Sequence, residues 1–530
     1  MTDHNHADLA LLNARVLIPA NGVRPGFRHA QAVAIRGDTI AGSGTNSTIS
    51  AMSGSGTRTI DCAGMTLIPG MVDSHCHLLA LAASLSGLDC SPKSASSINE
   101  LQRLVKQRAD GIPRGEWVRG FGYDNESLSE NRHPSRWDLD QATFNNPVRL
   151  EHRSGHATTL NSMGLELAGI QKDTPDPVDG VIDRDSVTGE PTGLLFEMAD
   201  FLRTRLGSTR SPDDFQLGIE SLNRKLLSCG ITSVQDAGPS NDVDRWHTFL
   251  KLKEQKRLSC RVTMMAGLSE SRLGEFHNAG LVLGSGSKGL RLGHAKIMLT
   301  FTTGIMSPGA DRLRELVIMA HENGFPVAIH AVEQEAIAAA ARVIQVSRHA
   351  GEFQVSGIPE DRIEHCSECP PELVDLVRTS GATVVSQPGF IYWQGSEYND
   401  RVESELWPHL YPVGELTRAG VPVAFGSDSP VIDPNPWPGI YAAVTRRTRF
   451  GRNHDGVRPS RTVTLEQALS MYTLAGARSE GTQDLKGDIQ AGKLADLVLL
   501  DKDPFQVETG ELPAIKPVLT ILGGRVVWEI

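Results

Sequence analysis

The sequence predicts an α/β fold: a closed, parallel, eight-stranded barrel joined to a small β-rich domain made from both ends of the chain. Three observations carry this expectation. Eight buried-looking strand candidates alternate with helical stretches between residues 67 and 479, and a count of eight favours closure over an open sheet. Short strands and turns fill both ends instead. Side chains able to bind metal stand where several of the eight runs finish.

Taken in order, residues 8–12, 14–18 and 31–35 are apolar strand candidates, separated by turn chemistry at Asn21-Gly22, Arg36-Gly37-Asp38 and Gly42-Ser43-Gly44. Residues 495–500, 517–522 and 524–528 have the same texture. Neither end has enough apolar surface for a core of its own, so residues 1–66 and 480–530 are expected to form one β-sandwich domain. The barrel then occupies 67–479, with strands at 67–72, 231–235, 261–265, 290–299, 327–329, 362–364, 383–386 and 423–426. Helices are expected at 213–229, 312–323, 333–351 and 372–381; Ser211-Pro212 opens the first as an N-cap followed by an N1 proline. Residues 84–205 are too many for one βα connection and read as a lobe inserted after the first strand, over the carboxyl end of the barrel. The fold class is therefore a TIM-like (β/α)8 barrel with a terminal β-sandwich and an inserted lobe.

Composition sets the boundaries. The chain has 530 residues, 39% hydrophobic and 22% charged, which is globular usage. Its net charge of −11 gives no overall electrostatic reason to hold nucleic acid or an anionic membrane. No apolar run approaches the roughly 20 residues needed to span a bilayer. Residues 1–6 lack the basic start and apolar stretch of a secretory signal, so the cytoplasm is the expected compartment. Seven scattered cysteines form no disulfide framework, and Cys366-Ser-Glu-Cys369 reads as incidental because no second such pair completes a thiolate site.

The chemistry begins at His75-Cys76-His77. Alternate residues of a strand share a face, so His75 and His77 present two imidazoles to one point, as a zinc-type metal needs from its first two ligands. His4 and His6 have the same spacing but sit in a polar tail with no strand to orient them. Further along, Lys296 lies within the fourth strand, His330 and His365 follow the fifth and sixth, and Asp428 follows the eighth. Barrel enzymes place their chemistry at these carboxyl ends.

With these residues in view, the chain resembles the amidohydrolase superfamily and, within it, the YtcJ-like group that includes N-substituted formamide deformylases. The likeness covers nearly the whole chain. It rests on Leu67-Ile68-Pro69-Gly70-Met71-Val72-Asp73-Ser74-His75-Cys76-His77, on Ser154-Gly155-His156-Ala157-Thr158-Thr159-Leu160-Asn161-Ser162, and on Gly189-Glu190-Pro191-Thr192-Gly193-Leu194-Leu195-Phe196-Glu197. The Lys296 strand, Gly426-Ser427-Asp428-Ser429-Pro430 and the segment 487–498 complete it. The resemblance implies that His75, His77 and Asp428 hold one metal and that His330 and His365 hold a second. Lys296 would bridge them as an Nζ-carbamate formed with carbon dioxide. Zn2+ is the expected metal, as one or two divalent ions. Water activated by the metal would attack a carbonyl, with Asp428 accepting its proton and delivering it to the leaving nitrogen. Two stretches depart from the group's usual pattern: Thr300-Phe301-Thr302-Thr303-Gly304 stands where an Asp-Gly pair is common, and Glu333-Gln334 where a Gly-Asp pair is.

Substrate contacts are expected from His156 as electrophile or donor. Trp117, Phe121 and Tyr123 in the insert, and Phe390, Tyr392 and Trp393 after the seventh strand, would suit an apolar or aryl substituent. Glu197 and Arg153 are family-like positions with no assigned task. The function expected is hydrolysis of a carbon–nitrogen bond in a small N-acyl or N-formyl compound. Ring deamination, ester or lactone hydrolysis on the same site, and a catalytically silent binder are the rival readings. The expected partner is a small-molecule substrate, and a homo-oligomer such as a dimer is kept as the candidate assembly.

Overall fold

Gly70 divides the run expected as one strand at 67–72 into two strands that join different sheets. Thr66–Pro69 pairs antiparallel with Leu497–Leu500, whereas Met71–Cys76 pairs in parallel with Ile231–Asp236. The reason is steric: a Cβ at position 70 would collide with the Thr232 hydroxyl. The Gly70 amide donates to the Asp496 carbonyl at 2.8 Å, and the Met71 amide donates to the Gly230 carbonyl at 3.0 Å. Because the sequence is apolar on both sides of the break, its periodicity does not show it.

The computed structural model describes residues 6–20, 26–177, 180–207, 211–301, 305–349, 359–396, 398, 402–451 and 461–530. The Asn21-Gly22 turn, His4, residues 302–304 of the stretch after Lys296 and the end of the helix expected at 333–351 lie outside the described residues.

Two sheets hold the ends of the chain. One has four strands in the order Thr39–Gly44, Ala32–Arg36, Ala7–Leu12 and Ser53–Asp61. The other has six: Arg525–Glu529, Pro517–Leu522, Leu497–Leu500, Thr66–Pro69, Arg15–Pro19 and Phe27–Ala30. Leu9, Leu11, Val16, Val33 and Ile35 from one end share a buried cluster with Leu497, Leu499, Leu519 and Ile521 from the other. By contacts, these sheets and the barrel form one compact unit. The Arg261 guanidinium joins them by a two-toothed bond to Asp496, with Nε and Nη2 at 2.6 and 2.8 Å from its two carboxylate oxygens.

The barrel strands are β1 (Met71–Cys76), β2 (Ile231–Asp236), β3 (Arg261–Gly267), β4 (Leu290–Met298), β5 (Val327–Ala331), β6 (Arg362–His365), β7 (Thr383–Ser386) and β8 (Val423–Phe425). They are hydrogen-bonded in this order, and every pairing is parallel. Burial on both faces explains why none of them shows a simple alternation of apolar and exposed polar residues, and the polar side chains they carry, as in β2 and β6, are buried as well. Helices Pro212–Ser228, Ala310–Glu322, Gln334–His349 and Pro371–Ser380 match the expected ones closely. The last begins with proline at its first position and ends at Gly381, whose φ of +73° suits a residue without Cβ.

A second compact unit comprises Leu78–Leu222 with Ser429–Val431, wider at both ends than the interval 84–205. Its six-stranded mixed sheet runs Val181–Arg184, Pro191–Phe196, Ala157–Leu160, Val148–His152, Val118–Tyr123 and Leu88–Asp89. Ile98–Asp110 is capped by Ser97, and Arg136–Ala142 by a reciprocal box between Ser135 and Asp138. Two apolar clusters fill this unit, one around Leu101, Val118 and Leu150 and one around Leu160, Leu195 and Leu202. Among the described residues, no helix is long and apolar enough to cross a membrane.

Candidate metal centre

β1 delivers His75 at its carboxyl end, with His77 just beyond it, and β8 is followed three residues on by Asp428. Among the described residues, these three form the one group of histidine, cysteine and carboxylate side chains whose ligand atoms all lie within 4.8 Å of one another. Nε2 of His77 is 3.0 Å and Nε2 of His75 is 3.5 Å from the same Asp428 oxygen, Oδ1. Asp428 holds a left-handed backbone, with φ of +58°, and His365 another, with φ of +70°. Such conformations are costly for residues with a Cβ and gather at functional sites.

The electrostatics follow from burial. Burial pushes His75 well below its ordinary value, and the nearby Lys296 and His365 charges push the same way, so the imidazole is neutral. Burial draws Lys296 down to about 8, against the pull of Glu364 and Asp428. For Asp428, burial acts to raise the pKa, but the His77 hydrogen bond and the fields of His75 and His365 outweigh it and hold the carboxyl below the carboxylate range.

The remaining expected ligands gather on the neighbouring strands. His330 closes toward His365 with ring centroids 4.4 Å apart, and His365 stands 4.7 Å from His75 by the same measure. Nδ1 of His365 is 2.9 Å from Oε1 of Gln387, which orients the ring and turns Nε2 away from that bond. This Nε2 and the Lys296 Nζ are both buried and have no hydrogen-bond partner among the described residues. Buried polar atoms left in this way are exceptional and call for a partner.

The expected substrate residues have other surroundings. In the second unit, Nδ1 of His156 lies 2.8 Å from Oε1 of Glu197, itself at φ +53°. Tyr123 is buried, with its hydroxyl 2.9 Å from Nδ1 of His133 and 3.1 Å from Oγ1 of Thr159. Trp117 packs against the cluster around Leu160, and Arg153 pairs with Asp124 at 3.2 Å. These aromatic side chains are engaged in the unit's own packing, and Phe121 carries the Arg119 guanidinium over its ring at 5.2 Å. In the barrel unit, Phe390 stacks on Tyr411 at 5.7 Å, while Tyr392 meets Trp393 edge-on at 5.1 Å. Cys366 and Cys369 are both buried free thiols.

Several residues that the sequence reading passed over support the centre. The carboxylate of Glu364 accepts a hydrogen bond from Nδ1 of His75 and a two-toothed bond from Arg362 at 2.7 and 3.0 Å. Asp73 accepts the Ser427 amide at 2.9 Å and its hydroxyl at 2.5 Å. The signal for the first pair was present: an arginine and a glutamate two residues apart, at 362 and 364, in a strand expected to be buried.

A parallel barrel with His-x-His ending its first strand, and an aspartate after its eighth within reach of both, defines a class of hydrolases. The chain belongs to the amidohydrolase family, which matches residues 58–528, and its relatives put it in the YtcJ-like group. It is 29% identical to the N-substituted formamide deformylase of Arthrobacter pascens over 98% of each chain. It is 26% identical to the putative amidohydrolase YtcJ of Bacillus subtilis (strain 168), over 94% of this chain and 96% of that one. In fold it is similar to an uncharacterized metal-dependent hydrolase of Pyrococcus horikoshii OT3, with a TM-score of 0.75 at 23% identity over 95% of this chain and 99% of that one.

Proposed function

We propose that this protein is a metal-dependent amidohydrolase that cleaves the carbon–nitrogen bond of a small non-peptide amide, with N-formyl and N-acyl amines as the first substrates to try. The observation that carries this reading is the convergence of His75, His77 and Asp428 on one point. The end-to-end match to a relative named as a formamide deformylase supports the substrate class.

The donor set fits divalent metal, since imidazole nitrogens and carboxylate oxygens together suit zinc. His75, His77 and Asp428 would hold one ion. His330 and His365 would hold a second, and Lys296, carboxylated on Nζ by carbon dioxide, would lie between them. Bound there, a divalent ion polarises a carbonyl and lowers the pKa of water from ~15.7 to about 7. The chain's own residues do the rest. Asp428 takes the proton from the attacking water and returns it to the leaving nitrogen, so that a C–O bond forms, the C–N bond breaks, and an amine and a carboxylic acid are released. Gln387 keeps the His365 ring fixed while this happens. No serine or cysteine stands in a nucleophile motif, which favours direct attack by water over a covalent acyl-enzyme.

The test compares zinc-loaded and chelated protein on N-formyl amines, N-acyl amines, esters, lactones and amino-heterocycles in oxygen-18 water. Metal-dependent turnover of the amides, with label in the released carboxylate, is the expected result. Ammonia from heterocycles alone would move the reaction to deamination, and turnover of none would leave a binding protein.

A further inference from the structure

The interior of the barrel contains a polar chain that the proposed reaction does not use. Arg362 and Glu364 stand two residues apart on β6, so both side chains point the same way, and both are completely buried. Glu364 accepts Nε of Arg362 at 2.7 Å on one oxygen and Nη2 at 3.0 Å on the other. The second oxygen also accepts the Nδ1 proton of His75. Arg362 reaches further: Nη1 donates to the Gln235 side-chain oxygen, and Nη2 donates to the Ser74 carbonyl at 2.9 Å. The Gln235 amide group is fixed in turn, donating at 3.0 Å to both the Gly476 carbonyl and the Ser479 hydroxyl. Two side chains, Arg362 and His75, thus converge on one carboxylate, and Gln235 holds Arg362 from behind.

We infer that Glu364 is the positioning residue of the candidate metal centre, holding His75 as the Nδ1–H tautomer so that Nε2 faces the ion, with Arg362 and Gln235 fixing Glu364 itself. This inference rests on the metal-centre reading above. The physical argument has three parts. A neutral imidazole has one donor and one acceptor nitrogen, so the partner of Nδ1 decides which nitrogen carries the lone pair. A carboxylate can only accept here, which forces the proton onto Nδ1. Its charge also makes Nε2 a better donor to metal, and loss of such a partner typically lowers metal affinity about 10–100-fold. Arg362 neutralises a carboxylate that would otherwise be unpaired in the barrel core, and its planar fork fixes the plane of the carboxylate.

The experiment uses the whole protein. Zinc affinity is measured by competition with a chelator, and the visible spectrum of the cobalt-substituted protein reports ligand geometry, for wild type, Glu364→Gln and Gln235→Leu. Glu364→Gln should bind about 10–100-fold more weakly and shift the cobalt spectrum, with an unchanged circular dichroism spectrum. Gln235→Leu, which leaves the carboxylate in place but loosens Arg362, should give a smaller change in the same direction. Nitrogen-15 histidine spectra of wild type, with His75 assigned by its loss in His75→Asn, should show the proton on Nδ1; this readout needs no variant of Glu364 to fold. A proton on Nε2, or wild-type affinity and cobalt spectrum in Glu364→Gln, would overturn the inference. A wild-type protein that binds no divalent ion would instead overturn the metal-centre reading.

Discussion

The amide nitrogen of Asp428 donates to the carbonyl oxygen of His75 at 2.7 Å, and the side chains of the same two residues approach to 3.5 Å. The meeting of β8 with β1 and the spacing of the two proposed metal donors are therefore set together. Asp73 braces the junction by holding Ser427 through both its amide and its hydroxyl.

Gly426 is what allows this approach. A Cβ there would stand 2.6 Å from the His75 nitrogen and 2.7 Å from the His75 Cβ. Backbone cannot yield as a flexible side chain can. Gly426→Ala should therefore cost about 1–3 kcal/mol, the usual range for overpacking, and should lower metal content as well. Thermal unfolding together with metal analysis checks both, and an unchanged midpoint would show that the junction is slack.

Asp428→Asn keeps the size of the side chain but removes its capacity to carry a proton. The variant should fold, retain much of the metal, and lose about 10²–10⁴-fold in kcat, the usual weight of a general acid–base group. Near-normal turnover would mean that another group moves the proton.

Lys296→Ala removes the amine that carbon dioxide would modify. Activity should be lost, and short carboxylic acids added with metal should restore part of it by supplying the missing oxygens. Full metal content with no rescue would point to a single-ion site.

Glu368 lies three residues beyond His365, facing Glu333, Glu335 and Glu403. Burial and these three carboxylates push it from the ordinary 4.5 up to about 7. In that window the folded chain keeps a proton that the unfolded chain releases, so this residue's contribution to stability falls as pH rises from 4.5 to 7. Glu368→Gln should thus raise the melting temperature at pH ~8 and leave it nearly unchanged at pH ~4.5. An equal shift at both pH values would assign the effect to packing.

The barrel was legible in the sequence because short, buried-looking runs alternate with helical stretches, and several finish near a candidate ligand, such as His330 within β5 or Asp428 after β8. The Gly70 break was not, since Pro69 and Met71 carry apolar neighbours on both sides and only Thr232, distant in sequence, makes the glycine necessary. The sheet of the second unit was read merely as an insert. Its strands are short, and its pairing of Ala157–Leu160 with Pro191–Phe196 spans an interval that contains the helix Ser162–Leu167 and the strand Val181–Arg184. Glu364 escaped notice for a different reason: its partners Arg362 and His75, and Gln235 behind Arg362, lie on three strands, and only the folded barrel brings them to one place.

The division at Gly70 also has a consequence in time. A ribosome delivers His75 and His77 early, whereas Leu497–Leu500, which pairs with Thr66–Pro69, and the segment after β8, which bonds to β1 through Asp428, are translated far later. Pairings so distant along the chain are slow to form. A nascent chain therefore carries these two imidazoles long before it possesses Asp428, and under the proposed metal reading stable ion capture would wait until β8 has been made.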